Sequence, residues 1–408
     1  MDFTTFSPVP CPTSVPDAAV VLDGPGSVSP DEVYRKLSGM ITRETRIGEE
    51  TPALVVSTSG STGRPKRTVL SARALRASGL ATESATGTDG GAEWLLALPV
   101  HYVAGAQVIA RSIIAGTTPV RTASLAGGAR FGARDFLRTA ETLTGHHLMT
   151  SLVPTQVHTL LEEAEAGEVP SDELLGALRG FDAILLGGAP ASEDLLERCR
   201  DLHIPLVLTY GSAETAGGCV YDSRALPGTR ITIEQPPGPG PTAPGRIWLG
   251  GPTLASGYLD DADRTASAFR RDPAGLTWYR TDDLGTLTDD GRLQVAGRAD
   301  DVVITGGIKV SARAVAAALE RDPAVREALV VGVDSDRWGQ ELRAILSRRP
   351  GREPAVEALR ERVREELGAP AVPKRILVVD RLPLTSTGKP DAAAARRALG
   401  PQEPSSRP

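Results

Sequence analysis

What the 408-residue sequence has least of narrows it first. Cysteine occurs three times, as Cys11, Cys199 and Cys219. The number is odd, the spacing wide, and no CxxC or Cys/His grouping is present, so neither a disulfide framework nor a zinc site is indicated and a reducing cytoplasm is expected. No apolar run reaches the roughly 18 residues a membrane helix needs. The opening "MDFTTFSPVPCP" lacks the basic start and apolar core of a secretory signal, so no membrane insertion is expected. A formal net charge of -6 leaves no generally basic surface and no basic stripe for nucleic acid. Lysine is also scarce: of 45 basic residues only Lys36, Lys66, Lys309, Lys374 and Lys389 are lysines. Arginine therefore serves wherever any cation suffices. Lys66 and Lys389 both sit in Gly-rich loops beside a proline, where a compact ammonium on a flexible stem is suited.

What is present is length and alternation. The chain is long enough for two or three domains with a substantial core. From Thr51 to about Val220, "TPALVVS", "EWLLALPV", "HHLMTSLVP", "FDAILLGG" and "IPLVLTYG" read as buried strands. Between them "ARALRASGLATES", "AGAQVIARSII", "TQVHTLLEEAEAG" and "ASEDLLERCRDL" read as helices, a pattern that predicts α/β layers on a largely parallel sheet. Near Tyr221 the texture changes to Gly, Pro and short strands, predicting a β-rich subdomain over 221–297. After "GRADD" it changes again to a compact α+β pattern. The expected organisation is an N-terminal domain over 1–298, a C-terminal domain over 299–400 and a disordered tail at 401–408.

One stretch invites chemistry. In "TSGSTGRPK" the glycines permit tight turns, the hydroxyls donate hydrogen bonds and a nest of backbone N–H groups can face an anion. A phosphate-binding loop and a flexible linker are both open on this stretch alone. A Walker A loop is excluded, because Gly60, Gly63 and Lys66 do not give G-x-x-x-x-G-K-[ST]. Further on come "LLGGAP" (185–190), "TYGSAET" (209–215), "YRTDDLG" (279–285), "GRADDVVITGG" (297–307) and "LPLTSTGKPD" (382–391).

Together and in this order, these motifs resemble those of the adenylate-forming superfamily of acyl-CoA synthetases, luciferases and adenylation domains, from about Thr51 to Arg397. The resemblance implies the adenylate-forming fold: a large α/β domain with a small β-rich subdomain, and a mobile C-terminal α+β domain. It implies that Thr58, Ser59, Gly60, Ser61, Thr62, Gly63 and Lys66 meet ATP phosphates. Gly187, Gly188, Ala189, Pro190, Tyr210 and Gly211 would bind the rest of the nucleotide, mainly adenine. Glu214 would be the Mg²⁺ ligand and Thr215 the hydroxyl on the α-phosphate; for "SAET" read by itself a helix cap is the weaker alternative. Asp283 and Arg298 would serve the ribose and Asp300 the hinge. Lys389 would neutralise the reacting carboxylate and α-phosphate. Gly306, Gly307 and Lys309 fall on the CoA side.

Two further stretches, "LPVHYVAGAQVIARSIIAGTTPV" and "YGSAETAGGCVYDSRALPG", resemble the short actinobacterial form of the o-succinylbenzoate:CoA ligases, with an abbreviated N-terminal region. Their acyl pocket would draw on His101, Tyr102, Gly105, Gln107, Arg111, Gly211 and Gly217. Many relatives carry the histidine of this motif where Tyr102 stands here, with His101 one residue earlier. The implied partners are a small carboxylic acid, ATP and CoA with Mg²⁺, and a homodimer is left open. A CoA ligase for another acid, or an enzyme loading a carrier protein, is the alternative.

Overall fold

The computed structural model describes residues 1–41, 50–58, 66–127, 130–235, 243–335, 337–385 and 390–400. The chain separates into two compact units. The first holds residues 1–190, 197–281 and 286–294; the second holds 191–196, 282–285 and everything from 295 onward. No helix among the described residues is long and apolar enough to cross a membrane.

The first unit is built around a seven-stranded sheet. In spatial order its strands are Arg224–Ala225, Gly217–Tyr221, Leu206–Ser212, Ala183–Leu186, Leu148–Leu152, Glu93–Leu96 and Val120–Arg121. Five of these run parallel, in the registers Leu95↔Val120, Glu93↔Leu148, Met149↔Ala183 and Ile184↔Leu206. Strands covered on both faces are apolar throughout, which is why Ala183–Leu186 is buried at every position. The order is closed at one side by an antiparallel turn back, Ser212↔Gly217 and Thr209↔Tyr221. Arg224–Ala225 still pairs there, so the change of texture read at Tyr221 precedes the actual end of this sheet.

The expectation that "TPALVVS" belongs to the parallel sheet needs correction. Pro52–Thr58 lies in a separate four-stranded sheet ordered Gly257–Tyr258, Lys66–Ser71, Pro52–Thr58, Val20–Leu22. It runs antiparallel to Lys66–Ser71, with Val55↔Val69 and Thr58↔Lys66. A parallel return needs a crossover of about a dozen residues or more, and the 59–65 connection is shorter than that. The loop singled out in the sequence therefore joins the two strands of a hairpin. Leu54, Val55 and Val56 are fully buried in it.

A third sheet takes the strands Phe269–Arg271, Thr277–Leu287, Gly245–Gly250 and Arg230–Glu234 in that order. Phe6, Trp248 and Trp278 form its aromatic core.

The second unit is a sheet covered on both faces. Its strands run Ile308–Ser311, Val302–Thr305, Gly339–Arg348, Val325–Ser335, with Arg375–Val379 parallel to Gly339–Arg348. Side chains alternate across a strand. Leu342, Ala344 and Leu346 pack with Val315, Leu319, Leu359 and Val363 from the helices Ala312–Glu320 and Val356–Leu367. Ile345 faces the other way, toward Leu399 of Ala392–Leu399. The compact division falls before Val295 and takes in 282–285, whereas the sequence texture placed the boundary at 298/299.

Candidate active site

Parallel strands Ala183–Leu186 and Leu206–Ser212 end side by side, and open α/β sheets bind ligands at the carboxyl ends of such strands. The segments Gly187–Pro190 and Tyr210–Thr215 begin there. A Cβ at Gly187 would lie 2.3 Å from Thr209 Oγ1, and one at Gly211 would lie 2.1 Å from Gly217 O. At Gly211 the backbone of the neighbouring strand leaves no room for a side chain, and at Gly187 the Thr209 hydroxyl fills that space.

The turn that follows carries the candidate metal and phosphate residues. Ala213–Thr215 is a short 3-10 helix whose cap, Ser212 Oγ, accepts from Glu214 N at 3.2 Å. Thr215 Oγ1 accepts from Ser212 N at 2.9 Å and donates to Gly217 O at 2.7 Å. The cap geometry that "SAET" allowed is thus present, and the Thr215 hydroxyl is engaged in it. Ala216 and Gly217 take left-handed backbone angles, φ 52° and 90°. The Ala216 carbonyl is held by two helices, accepting from Ser78 Oγ at 3.0 Å and from Gln107 Nε2. Glu214 is 6 % exposed, and its Oε1 accepts from the Tyr258 hydroxyl at 2.8 Å. Lys66 Nζ sits 5.6 Å from the centre of the same Tyr258 ring.

Helix Val103–Ala115 supplies the candidate acyl residues Gly105, Gln107 and Arg111. Gln107 and Arg111 are buried, and a Cβ built on Gly217 would meet Gln107 Cγ at 3.4 Å and Arg111 Nη2 at 3.9 Å. The fold therefore brings these three together. Arg111 Nη2 donates to Tyr221 Oη at 3.3 Å, Tyr221 Oη and Thr82 Oγ1 are 2.9 Å apart, and the guanidinium lies 5.4 Å from the Trp94 ring centre. Arg111 Nε and Gln107 Oε1 are buried with no hydrogen-bond partner among the described residues. His101 and Tyr102 precede the helix, their ring centres 3.9 Å apart. Burial lowers the His101 pKa and favours the neutral imidazole.

In the second unit the candidate ribose and hinge residues form one ionic cluster. Arg298 pairs bidentately with Asp300, Nε to Oδ1 at 2.8 Å and Nη2 to Oδ2 at 2.9 Å. Its Nη2 is 3.5 Å from Asp282 Oδ2 and its Nη1 is 3.9 Å from Asp283 Oδ1. The Asp300 hydrogen bonds and the surrounding carboxylates raise the Arg298 pKa. The Asp301 pKa is also raised, above the ordinary carboxylate range, by burial and then by the charge of Asp300. Gly306 and Gly307 form the turn between Val302–Thr305 and Ile308–Ser311, and Lys309 lies opposite Ile304.

Ser59, Gly60, Ser61, Thr62, Gly63, Lys389 and the tail 401–408 lie outside the described residues. Either side of the Lys389 segment, Leu384 bridges Pro390 and Asp391 N donates to Pro383 O at 2.8 Å. Two features escaped the sequence reading. One is Tyr258, whose only signal was "SGY" with Thr265 seven residues on. The other is Trp338, 37 % exposed, with Arg337 at 4.9 Å and Lys374 at 5.7 Å from its ring centre.

A two-unit α/β architecture with these motifs at its strand ends defines a nucleotide-activating enzyme class, and comparison with known proteins agrees. The chain belongs to the AMP-binding enzyme family: residues 10–259 match that family, and residues 314–389 match the AMP-binding enzyme C-terminal domain. It is 40 % identical over 358 residues to a probable 2-succinylbenzoate–CoA ligase of Mycobacterium tuberculosis, covering 86 % of each chain. Identity to the 2-succinylbenzoate–CoA ligase of a Geobacillus strain is 30 % over 351 residues, 83 % of this chain and 67 % of the relative. Among solved structures it is similar to Bacillus subtilis o-succinylbenzoate CoA synthetase in complex with the acyl-adenylate intermediate OSB-AMP. There the TM-score is 0.70 and the identity 28 %, covering 85 % of this chain and 69 % of that one.

Proposed function

We infer that this protein is an AMP-forming acid–thiol ligase that activates 2-succinylbenzoate with ATP and transfers the acyl group to CoA, a step of menaquinone biosynthesis. The observation that carries the reading is the 40 % identity, spanning 86 % of both chains, to a ligase of that name. In the first half-reaction a carboxylate oxygen attacks the α-phosphorus of ATP and the bond to pyrophosphate breaks. In the second the CoA thiol, losing its proton, attacks the acyl carbon and AMP departs. Positioning and charge stabilisation supply most of the acceleration in such transfers.

The roles of individual residues are part of this proposal. The 58–66 loop and Lys66 hold the β- and γ-phosphates, Gly187–Pro190, Tyr210 and Gly211 the remaining nucleotide, and Thr215 the α-phosphate. Asp283 and Arg298 serve the ribose. Glu214 suits Mg²⁺: its carboxylate is buried with one oxygen fixed, and among the described residues no group of three or more acidic, His or Cys side chains is arranged to hold a metal ion by itself. A single protein carboxylate with nucleotide oxygens and water is how Mg²⁺ is commonly held. When bound, the ion neutralises phosphate charge during the attack. Arg111, buried and with Nε unpartnered among the described residues, meets the aromatic carboxylate of 2-succinylbenzoate directly or through water, since a charge entering a pocket needs a partner. Lys389 serves adenylation, and the domain from residue 299 rotates at Asp300 to admit CoA past Gly306, Gly307 and Lys309. Location in the cytoplasm belongs to the same reading, and light scattering decides whether a homodimer forms.

The test is a panel of carboxylic acids with ATP and Mg²⁺, read by pyrophosphate release, followed by mass spectrometry after CoA is added. The largest release with 2-succinylbenzoate, and the mass of its CoA thioester, are the expected results. Preference for another acid overturns the substrate. Acyl-adenylate without thioester overturns CoA as acceptor and favours a carrier protein.

A further inference from the structure

Tyr258 touches two of the charges assigned above and neutralises neither. We propose that it is a positioning residue that couples the loop lysine Lys66 to the carboxylate of Glu214, so that binding of the nucleotide and of its divalent cation are linked through one aromatic side chain. The inference rests on the assignment of Lys66 to phosphate and Glu214 to Mg²⁺.

The geometry is fixed from several sides. Tyr258 is 2 % exposed; its ring meets Phe269 edge-on at 5.4 Å, and Phe269 stacks on Tyr279 at 5.2 Å. Its backbone pairs with Thr68 of the strand that begins at Lys66, which makes Lys66 a diagonal cross-strand neighbour within reach of a long side chain. Thr265 locks the same residue, its Oγ1 accepting from Tyr258 N at 3.0 Å. Nearby, Ala255 N donates to Glu214 O at 2.8 Å, which draws this segment onto the backbone of the carboxylate residue. The hydroxyl then reaches Glu214 Oε1 at 2.8 Å.

The choice of tyrosine follows from the two charges. An arginine or lysine beside Glu214 would hold the carboxylate and cancel the charge a cation needs. A neutral hydroxyl gives a charge-assisted hydrogen bond and leaves that charge in place. On the other side, a carboxylate beside Lys66 would consume the ammonium's N–H donors, whereas an aromatic face attracts the cation and leaves donors for phosphate oxygens.

The experiment is calorimetric binding of ATP to the full chain, with and without Mg²⁺, for wild type, Y258F, Y258L and E214Q, with circular dichroism as a check on folding. In Y258F the ring remains, so metal-free ATP binding should be unchanged while the gain in affinity on adding Mg²⁺ falls about tenfold, the loss of one hydrogen bond to a charged group. Y258L should show the same loss and also weaken metal-free ATP by about threefold, the contribution of an ammonium on an aromatic face. E214Q should lose the Mg²⁺ gain as well. If E214Q loses the gain and Y258F keeps it, the coupling is refuted while the assignment of Glu214 stands. If E214Q keeps the gain, that assignment falls and the coupling with it. Y258F is decisive by itself, so the coupling is tested even where Y258L does not fold.

Discussion

Glu214 and Arg298 are both charged residues in family motifs, yet their surroundings are opposite. Glu214 is 6 % exposed and its carboxylate has one hydrogen-bond partner among the described residues, Tyr258. Arg298 has a side chain 43 % exposed and faces three carboxylates, Asp282, Asp283 and Asp300. A buried charge with a single partner has one low-energy arrangement, and removing the partner leaves it uncompensated. A half-exposed guanidinium among several acids can exchange one for another at small cost, because solvent screens each pair. The first setting suits a residue that must stay where it is, the second one beside a backbone expected to change its angles.

The largest expected effect follows removal of the lysine proposed for adenylation. Lys389→Ala should slow acyl-adenylate formation by at least the order of 10²–10³ seen when one stabilising contact to reacting oxygens is lost. Transfer to CoA from preformed acyl-adenylate should continue at close to the wild-type rate. Equal loss of both half-reactions, measured separately, would remove the case for two working arrangements of the second unit.

Next in size, Asp300→Pro should reverse that pattern. Proline fixes φ and hinders any second backbone setting, so thioester formation should fall well below adenylation. Quenched-flow measurement of the two steps checks it.

Arg111→Ala tests the buried side. It should raise KM for 2-succinylbenzoate by about tenfold to a hundredfold, the cost of losing a charged hydrogen-bond partner, and leave KM for ATP unchanged. Unchanged kinetics with 2-succinylbenzoate would free Arg111 for a purely structural role against Trp94 and Tyr221.

Smaller still is Asp300→Asn, which should alter thermal stability by no more than about 1 kcal/mol, as expected of an exposed ion pair. A much larger fall in calorimetric stability would mean that the cluster is not the exchangeable network described.

The weakest effect concerns pH. The His101 pKa is lowered by burial from 6.5, so the unfolded chain binds the extra proton first. The stability due to the neutral ring is present above about pH 6.5 and is lost as pH falls toward the folded value. His101→Asn should therefore flatten the decline of melting temperature on the acid side of pH 6.5.

Much of the architecture was readable because its causes are local. Fully apolar runs such as "AILL" announce strands covered on both faces, and glycine clusters directly after them mark close backbone passages. The antiparallel partner of "TPALVVS" was not readable, because Lys66–Ser71 opens with two cations and looks like a continuation of the loop. The helix Pro30–Ser38 also passed unnoticed, although Ser29 caps it by accepting from Glu32 N and "SPDE" carries that signal. Tyr258 could not be found at all from spacing, since its meaning comes from strand pairing with Thr68 and from a carboxylate on the 3-10 turn that follows a strand of a different sheet. Whether Gln107, Arg111 and Gly217 would meet likewise depended on the left-handed turn at Ala216.

The four tryptophans make the chain its own optical probe. Trp94, Trp248 and Trp278 lie in the first unit and are at most 2 % exposed, while Trp338 lies in the second and is 37 % exposed. A collisional quencher such as acrylamide reaches only the last of them readily. The quenchable fraction of the emission therefore reports on the surroundings of the second unit alone, without a label, and its change on adding ATP, acid and CoA in turn can be followed in real time.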